Sequence, residues 1–253
     1  MVRSVALLLL ITKLGVASFL ETTTPARQAS QIQGYQTACT QNTAVTFDDG
    51  PYIYEQALVN TIVAAGAKGT LFGCIYDDQN VQALRHAYES GFTIGSHTWN
   101  HYNITLGTTD NLGHQLDLVE TALWNILGVK PALFRPPYGA QNAELVSYLN
   151  SRGYTVVGWS TDTQDSVGAT VATSEGILNA ATAGNLFLAH ETIQTTVQQV
   201  IPDTIPGLVA RGVNLVTVDQ CLGVNPYQAV RGSYGERDAS WTCQGTPAPG
   251  QGF

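Results

Sequence analysis

Ala44-Val45-Thr46-Phe47 is a short apolar run that stops on Asp48-Asp49-Gly50-Pro51, a natural turn sequence. Beyond it Leu58, Val59, Ile62 and Val63 recur on one helical face up to Gly66, and Thr70-Leu71-Phe72 begins a second apolar run. Strand, turn, helix and strand follow within thirty residues, and the order then repeats. Residues 80–90 read as a helix ending at Gly91, and Phe92-Thr93-Ile94 as the next strand. Leu112, Leu116, Val119, Leu123, Ile126 and Leu127 mark the strongest amphipathic helix. Four further strands are expected at Ala132-Leu133-Phe134, Tyr154 to Val157, Leu186-Phe187-Leu188 and Val213 to Val218. Strands alternating with helices pair in parallel through right-handed crossovers. Seven of them suit an α/β barrel, closed or nearly so, better than an open doubly wound sheet.

Composition agrees with a globular chain. Its 253 residues allow one or two domains, and 44% hydrophobic residues supply a core. Only 12% are charged, against the usual ~25%, which argues against disorder. Eleven Lys+Arg against 19 Asp+Glu give a net charge of −8, which excludes general binding to nucleic-acid phosphates. At the start, Arg3 precedes an apolar run from Val5 to Ile11, and Val16-Ala17-Ser18 offers small residues for cleavage. Residues 1–18 are therefore expected to be a secretion signal, and no stretch reaches membrane-spanning length. Residues 19–38 read as a polar lead-in and 226–253, rich in Pro, Gly and Ser, as a tail. Cys39, Cys74, Cys221 and Cys243 form no C-x-x-C pair; two disulfides with three connectivities suit an oxidising compartment. Asn103-Ile104-Thr105 is an N-glycosylation acceptor triplet.

Every unusual polar cluster follows a strand, where a parallel barrel carries its reactive loops. Asp48-Asp49 follows the first, His97 and His101 the third, Arg135 and Tyr138 the fourth, Asp162 and Asp165 the fifth, and His190 the sixth. Each has a bland reading alone: a turn, a chance histidine pair, a surface ion pair, helix caps, a solvated His190–Glu191 pair. His86 and His114, the other two histidines, fall within helix patterns. Placement of the rest on one rim makes the bland readings improbable. Two imidazoles and one carboxylate are a common catalytic zinc set, and His97, His101 and one aspartate of the pair can supply it. The other aspartate is then free as a general base, and a histidine across the site can protonate a leaving group. That combination describes metal-assisted hydrolysis of an acyl group. Two other classes compete: a carbohydrate-binding barrel without catalysis, and a glycosidase using two carboxylates without metal.

Thr46-Phe47-Asp48-Asp49-Gly50-Pro51, Ser96-His97-Thr98-Trp99-Asn100-His101, Arg135-Pro136-Pro137-Tyr138 and Leu188-Ala189-His190 resemble four of the five motifs of the polysaccharide deacetylases. This is carbohydrate esterase family four, the NodB-homology domain; the likeness spans about 39–222, within a catalytic domain expected over 39–225. The fifth motif is matched in part, because Asp162-Thr163-Gln164-Asp165 is followed by Ser166 where the family has an aromatic residue. The resemblance implies a distorted (β/α)7 barrel as a single domain. It implies Asp48 as base, Asp49, His97 and His101 as ligands of zinc (cobalt or nickel in some members), and Arg135 as the residue that orients Asp48. It makes the Tyr138 backbone N–H an oxyanion donor and His190 the acid, held by Asp165. Tyr138, Leu188, Trp99 and Asp162 are expected to line the substrate groove. Phrases such as Thr217-Val218-Asp219-Gln220-Cys221 resemble the fungal secreted chitin deacetylases most. Chitin or chito-oligosaccharide is thus the expected partner of a secreted, extracellular or cell-wall monomer, with acetylxylan or peptidoglycan as alternatives. The same resemblance pairs Cys39 with Cys221, which leaves Cys74 for Cys243 and would draw the tail with Trp241 toward the reactive face.

Overall fold

The computed structural model describes residues 32–74, 80–235 and Thr246; the expected signal segment 1–18, Trp241 and Cys243 lie outside them. Strands are β1 (Tyr35–Gln36), β2 (Ala44–Asp48), β3 (Thr70–Gly73), β4 (Thr93–Ser96), β5 (Val129–Pro131), β6 (Leu133–Phe134), β7 (Thr155–Val157), β8 (Thr161–Asp162), β9 (Leu186–His190) and β10 (Tyr227–Val230). Helices are α1 (Glu55–Ala64), α2 (Val81–Glu89), α3 (Thr109–Leu127), α4 (Ala143–Ser151), α5 (Val171–Asn179), α6 (Ile201–Ala210) and α7 (Val218–Leu222). Eight strands form one sheet in the order β1-β7-β6-β4-β3-β2-β9-β8, with every pairing parallel.

Chain length proves that this sheet is curled. In a flat sheet β7 and β8 would stand six strand spacings apart, ~29 Å. Only Gly158, Trp159 and Ser160 connect them, and four Cα steps reach at most ~15 Å. The sheet therefore bends into the expected distorted barrel, and among the described residues no ladder joins β1 to β8. β2 lies mid-sheet and all five of its residues are buried, as a parallel strand covered on both faces requires. Its Asp48 stands in register with His190 on one side and Phe72 on the other, so the carboxyl ends of β2, β3 and β9 finish together.

The helices follow their apolar faces. Leu58, Val59 and Ile62 of α1 are buried, whereas Val63 is exposed at the edge of the stripe. All six predicted apolar positions of α3 are buried. Thr108 and Asn111 close a capping box at its start, and Gly128 ends it in the left-handed region at φ 71°.

Two expectations about the chain's later part are corrected. Val213–Val218 is not a strand: Thr43 and Leu215 make a single parallel bridge, and the Val218 N–H bonds the Thr70 hydroxyl before the chain turns into α7. Residues 227–230, expected as part of the tail, form β10, which pairs antiparallel with β5. The lead-in ends in β1, which extends the sheet beside β7.

Cys39 and Cys221 form a disulfide with Cα atoms 5.0 Å apart and a sequence separation of 182. In the chain-entropy model a loop of that length stabilises by ~5 kcal/mol. Cys74 is a free, buried thiol, which corrects the expected bond to Cys243. Its sulfur instead approaches the His97 carbonyl at 3.5 Å, and burial pushes its pKa well up.

Candidate active site

Asp48 and Asp49 leave β2 in different directions because the chain turns sharply between them. Asp48 is still strand and buried, while Asp49 has φ 77°. Gly50 permits the next step, since a Cβ there would meet a Glu191 carboxylate oxygen at 1.4 Å. Arg135, fully buried, donates from Nη1 to Asp48 Oδ1 at 2.7 Å and to the Thr46 hydroxyl. Its Nη2 donates to the Gly158 carbonyl at 2.8 Å, and its guanidinium lies 4.3 Å from the Phe72 ring centre. Every face of the cation is thus occupied, and one carboxylate oxygen of Asp48 is fixed. Burial pushes the Asp48 pKa above the usual carboxylate value, with the Arg135 charge opposing.

His97 and His101, four residues apart, do not stand on a helix. They lie on the irregular segment after β4, with Thr98 at φ 65° and His101 at φ 56°. Such left-handed non-glycine residues cost of order 1 kcal/mol or more and cluster at functional sites. Here Asp49, Thr98, His101, Tyr138 and Gln164 all adopt one, and all stand on loops that leave strand ends. His97 Nδ1 lies 2.7 Å from the Arg135 carbonyl. A carbonyl only accepts, so Nδ1 carries the proton and Nε2 presents a lone pair. Burial lowers the His97 pKa to about 3, which keeps that ring neutral. Nε2 of His97 stands 3.5 Å and Nε2 of His101 3.4 Å from Asp49 Oδ1. Two ligands of a tetrahedral zinc ion are expected ~3.4 Å apart. The trio therefore fits one metal ion, with all three ligand atoms within 4.8 Å of one another.

Across the cleft His190 ends β9, and its Nδ1 donates to Asp165 Oδ1 at 2.7 Å. Asp165 Oδ2 accepts from the His190 backbone N–H and from the Thr196 hydroxyl, both at 2.8 Å. Burial works against charge on both groups, but their mutual contact prevails. The His190 pKa rises to about 9, and that of Asp165 falls below the usual carboxylate value. The contact with Asp165 thus favours the imidazolium form of His190.

Asp48, Asp49, His97, His101 and His190 share a cleft of about 410 Å³ bordered also by Pro136, Tyr138, Trp159, Asp162, Ser166, Val167 and Leu188. The Tyr138 ring stands edge-on to His101 at 4.4 Å and is two-thirds exposed. Trp99, expected in the groove, is corrected to a core residue: it is 2% exposed and its indole N–H donates to the Thr246 hydroxyl. Asp162 borders the cleft, although its Oδ1 also accepts from the Gln164 N–H. Trp159 was missed, yet its place just past β7 is the same signal that marked the others. Glu191 is no solvated partner of His190; it is 1% exposed and faces Glu55, 0% exposed, beneath Gly50. Burial pushes the Glu55 pKa to about 8 and that of Glu191 well up.

Fold and site together define a parallel-sheet protein of barrel type in which two histidines and one carboxylate that could hold a metal ion face a histidine–aspartate pair. The chain belongs to the polysaccharide deacetylase family, whose sequence model matches residues 35–157. It is 36% identical over 201 residues to a chitin deacetylase of a Pestalotiopsis species, covering 74% of this chain and 66% of that one. It is 32% identical to a probable peptidoglycan-N-acetylglucosamine deacetylase of Arthroderma benhamiae, over 71% of this chain and 44% of the other. The chain thus spans about half to two-thirds of the length of these curated relatives. The structure of the chitin deacetylase from Colletotrichum lindemuthianum superposes with a TM-score of 0.72 at 24% identity, covering 81% of this chain and 98% of that one, a likeness of fold.

Proposed function

We propose that this protein is a metal-dependent hydrolase that removes N-acetyl groups from the GlcNAc residues of chitin or chito-oligosaccharides, releasing acetate. The observation that carries the reading is the convergence on one cleft of a buried, Arg135-bound carboxylate, a trio of side chains that fits a metal ion, and a histidine hydrogen-bonded to Asp165. Asp49, His97 and His101 hold the ion, zinc by the chemistry of two imidazoles and one carboxylate, with cobalt or nickel as substitutes. When bound, the metal supplies Lewis acidity toward the acetyl carbonyl and the attacking water.

Asp48 removes the proton of that water, and its raised pKa makes it a stronger base than an exposed carboxylate. Arg135 keeps it ionised and aimed. As charge grows on the carbonyl oxygen, the Tyr138 backbone N–H donates to it. His190 gives its proton to the departing amine nitrogen, and Asp165 holds the ring and its charge in place. Leu188 and Tyr138 wall the acetyl methyl, while Asp162 and Trp159 face the sugar.

An amide needs this acid more than an ester does, which places acetylxylan behind chitin. Peptidoglycan, also an N-acetylated glycan, is the second reading, favoured by the name of the Arthroderma relative. The Cys39–Cys221 bond supports a secreted, extracellular protein with Asn103 as a glycan acceptor. Acetate release and product masses from chitotetraose, acetylxylan oligomers and muropeptides, with chelator and after zinc is restored, test the reading. Release only from xylan, or release indifferent to the chelator, overturns it.

A further inference from the structure

We infer that Thr196 is a positioning residue for the acid His190: its hydroxyl completes the donor set that holds the Asp165 carboxylate in register with the imidazole. The inference rests on the proposed function for the word acid, but its geometry stands independently. Among the described residues Asp165 accepts three hydrogen bonds: from His190 Nδ1 at 2.7 Å, from the His190 N–H at 2.8 Å, and from Thr196 Oγ1 at 2.8 Å. Two of these come from His190 itself. Thr196 is the donor from another element, and it ties the pair to the barrel wall.

The direction of that third bond follows from charge. An ionised carboxylate has no proton to give, so the threonine hydroxyl must donate. Thr196 is 1% exposed and Asp165 3% at its side chain, so no bulk water replaces the bond when it is lost. Asp165 needs an outside anchor because its own backbone is a three-residue turn, Asp165–Val167, between Gln164 at φ 62° and Gly168 at φ 86°. The anchor is rigid. Thr196 opens a π-helical segment, Thr196–Val200, that runs into α6 and packs against α1 and α5. Such wide turns are rare and occur often at functional sites. A β-branched residue with few χ1 choices holds its hydroxyl in one place there.

Thr196→Val removes the hydroxyl and keeps the shape. Two measurements on the metal-loaded protein test the inference. The first is the His190 Nδ1–H proton resonance near neutral pH. It is expected to be sharp in the wild type, lost to exchange in Thr196→Val, and restored in Thr196→Ser. The second is turnover of chitotetraose against 4-nitrophenyl acetate. The kcat for the amide should fall about tenfold, a fraction of what general acid catalysis contributes, with KM and the aryl-ester rate within twofold. Thr196→Ala removes the same hydroxyl and gives the same comparison should the valine variant not fold. An unchanged resonance in both hydroxyl-free variants overturns the inference, whatever the activity. A lost resonance with equal damage to amide and ester leaves Thr196 as a positioning residue and sinks the acid role of His190 instead.

Discussion

Replacing Arg135 by methionine tests the centre of the site. The guanidinium is fully buried and donates to Asp48, to Thr46 and to the carbonyls of Gly158 and, at 3.4 Å, Val157. Methionine fills much of that volume but leaves a buried carboxylate without its cation. Breaking a buried ion pair from one side costs ~3–5 kcal/mol, and the carboxylate can escape most of this by taking up a proton. Burial already raises the Asp48 pKa, and Arg135 is the largest influence opposing it. At ~1.4 kcal/mol per pH unit, the expected rise is about one unit if a third of the cost appears as protonation. A base must be ionised, so the acid limb of kcat/KM against pH should move to higher pH by that amount. At any pH on the limb the rate should fall about tenfold per unit. Arg135→Lys should recover part of it, because a single ammonium cannot satisfy the same fork of acceptors. The assay is acetate release from chitotetraose across pH 4–9, with thermal melts in parallel. A limb that stays in place while activity falls would show that Arg135 does not tune Asp48.

Three other expectations concern neighbouring groups. Asp49→Ala and His97→Ala should lose bound metal and activity together, whereas Asp48→Asn should keep the metal and lose the rate; metal analysis that finds the reverse exchanges the two aspartates. His190→Ala should reduce amide hydrolysis by ~100-fold or more while sparing an activated aryl acetate. In the wild type the amide rate should fall as pH rises through about 9, where His190 gives up its proton. Glu55→Gln should raise the melting temperature at neutral pH. The folded pKa of Glu55, about 8, exceeds the ordinary 4.5, so its contribution is fully present below 4.5 and is lost as pH rises toward 8. A gain from glutamine that does not grow across that window contradicts the buried, protonated carboxyl.

What the sequence determined by itself was the scaffold and the rim. Apolar runs broken by helical periodicity are local signals, and reactive residues just past strand ends mark one face of any parallel barrel. Asp48, Asp49, His97, His101, Arg135, Asp165 and His190 were legible for that reason. The Cys39–Cys221 bond was legible only through family likeness, since four cysteines alone permit three pairings. Tertiary structure decided what depends on burial and on contacts distant in sequence. Trp99 looks like a groove residue beside His97, but α3 covers it and the Gln115 side chain takes its backbone N–H. Val213–Val218 has a strand's composition, yet a strand needs a ladder and, among the described residues, only Thr43 offers one bridge. Glu191 reads as a surface neighbour of His190 until β9 carries it under Gly50. Thr196 has no local mark at all, because its role is one hydroxyl meeting a carboxylate 31 residues away in the chain. A side chain's identity is written locally, but its dielectric surroundings and its hydrogen-bond partners exist only after the sheet has curled and the helices have packed on it.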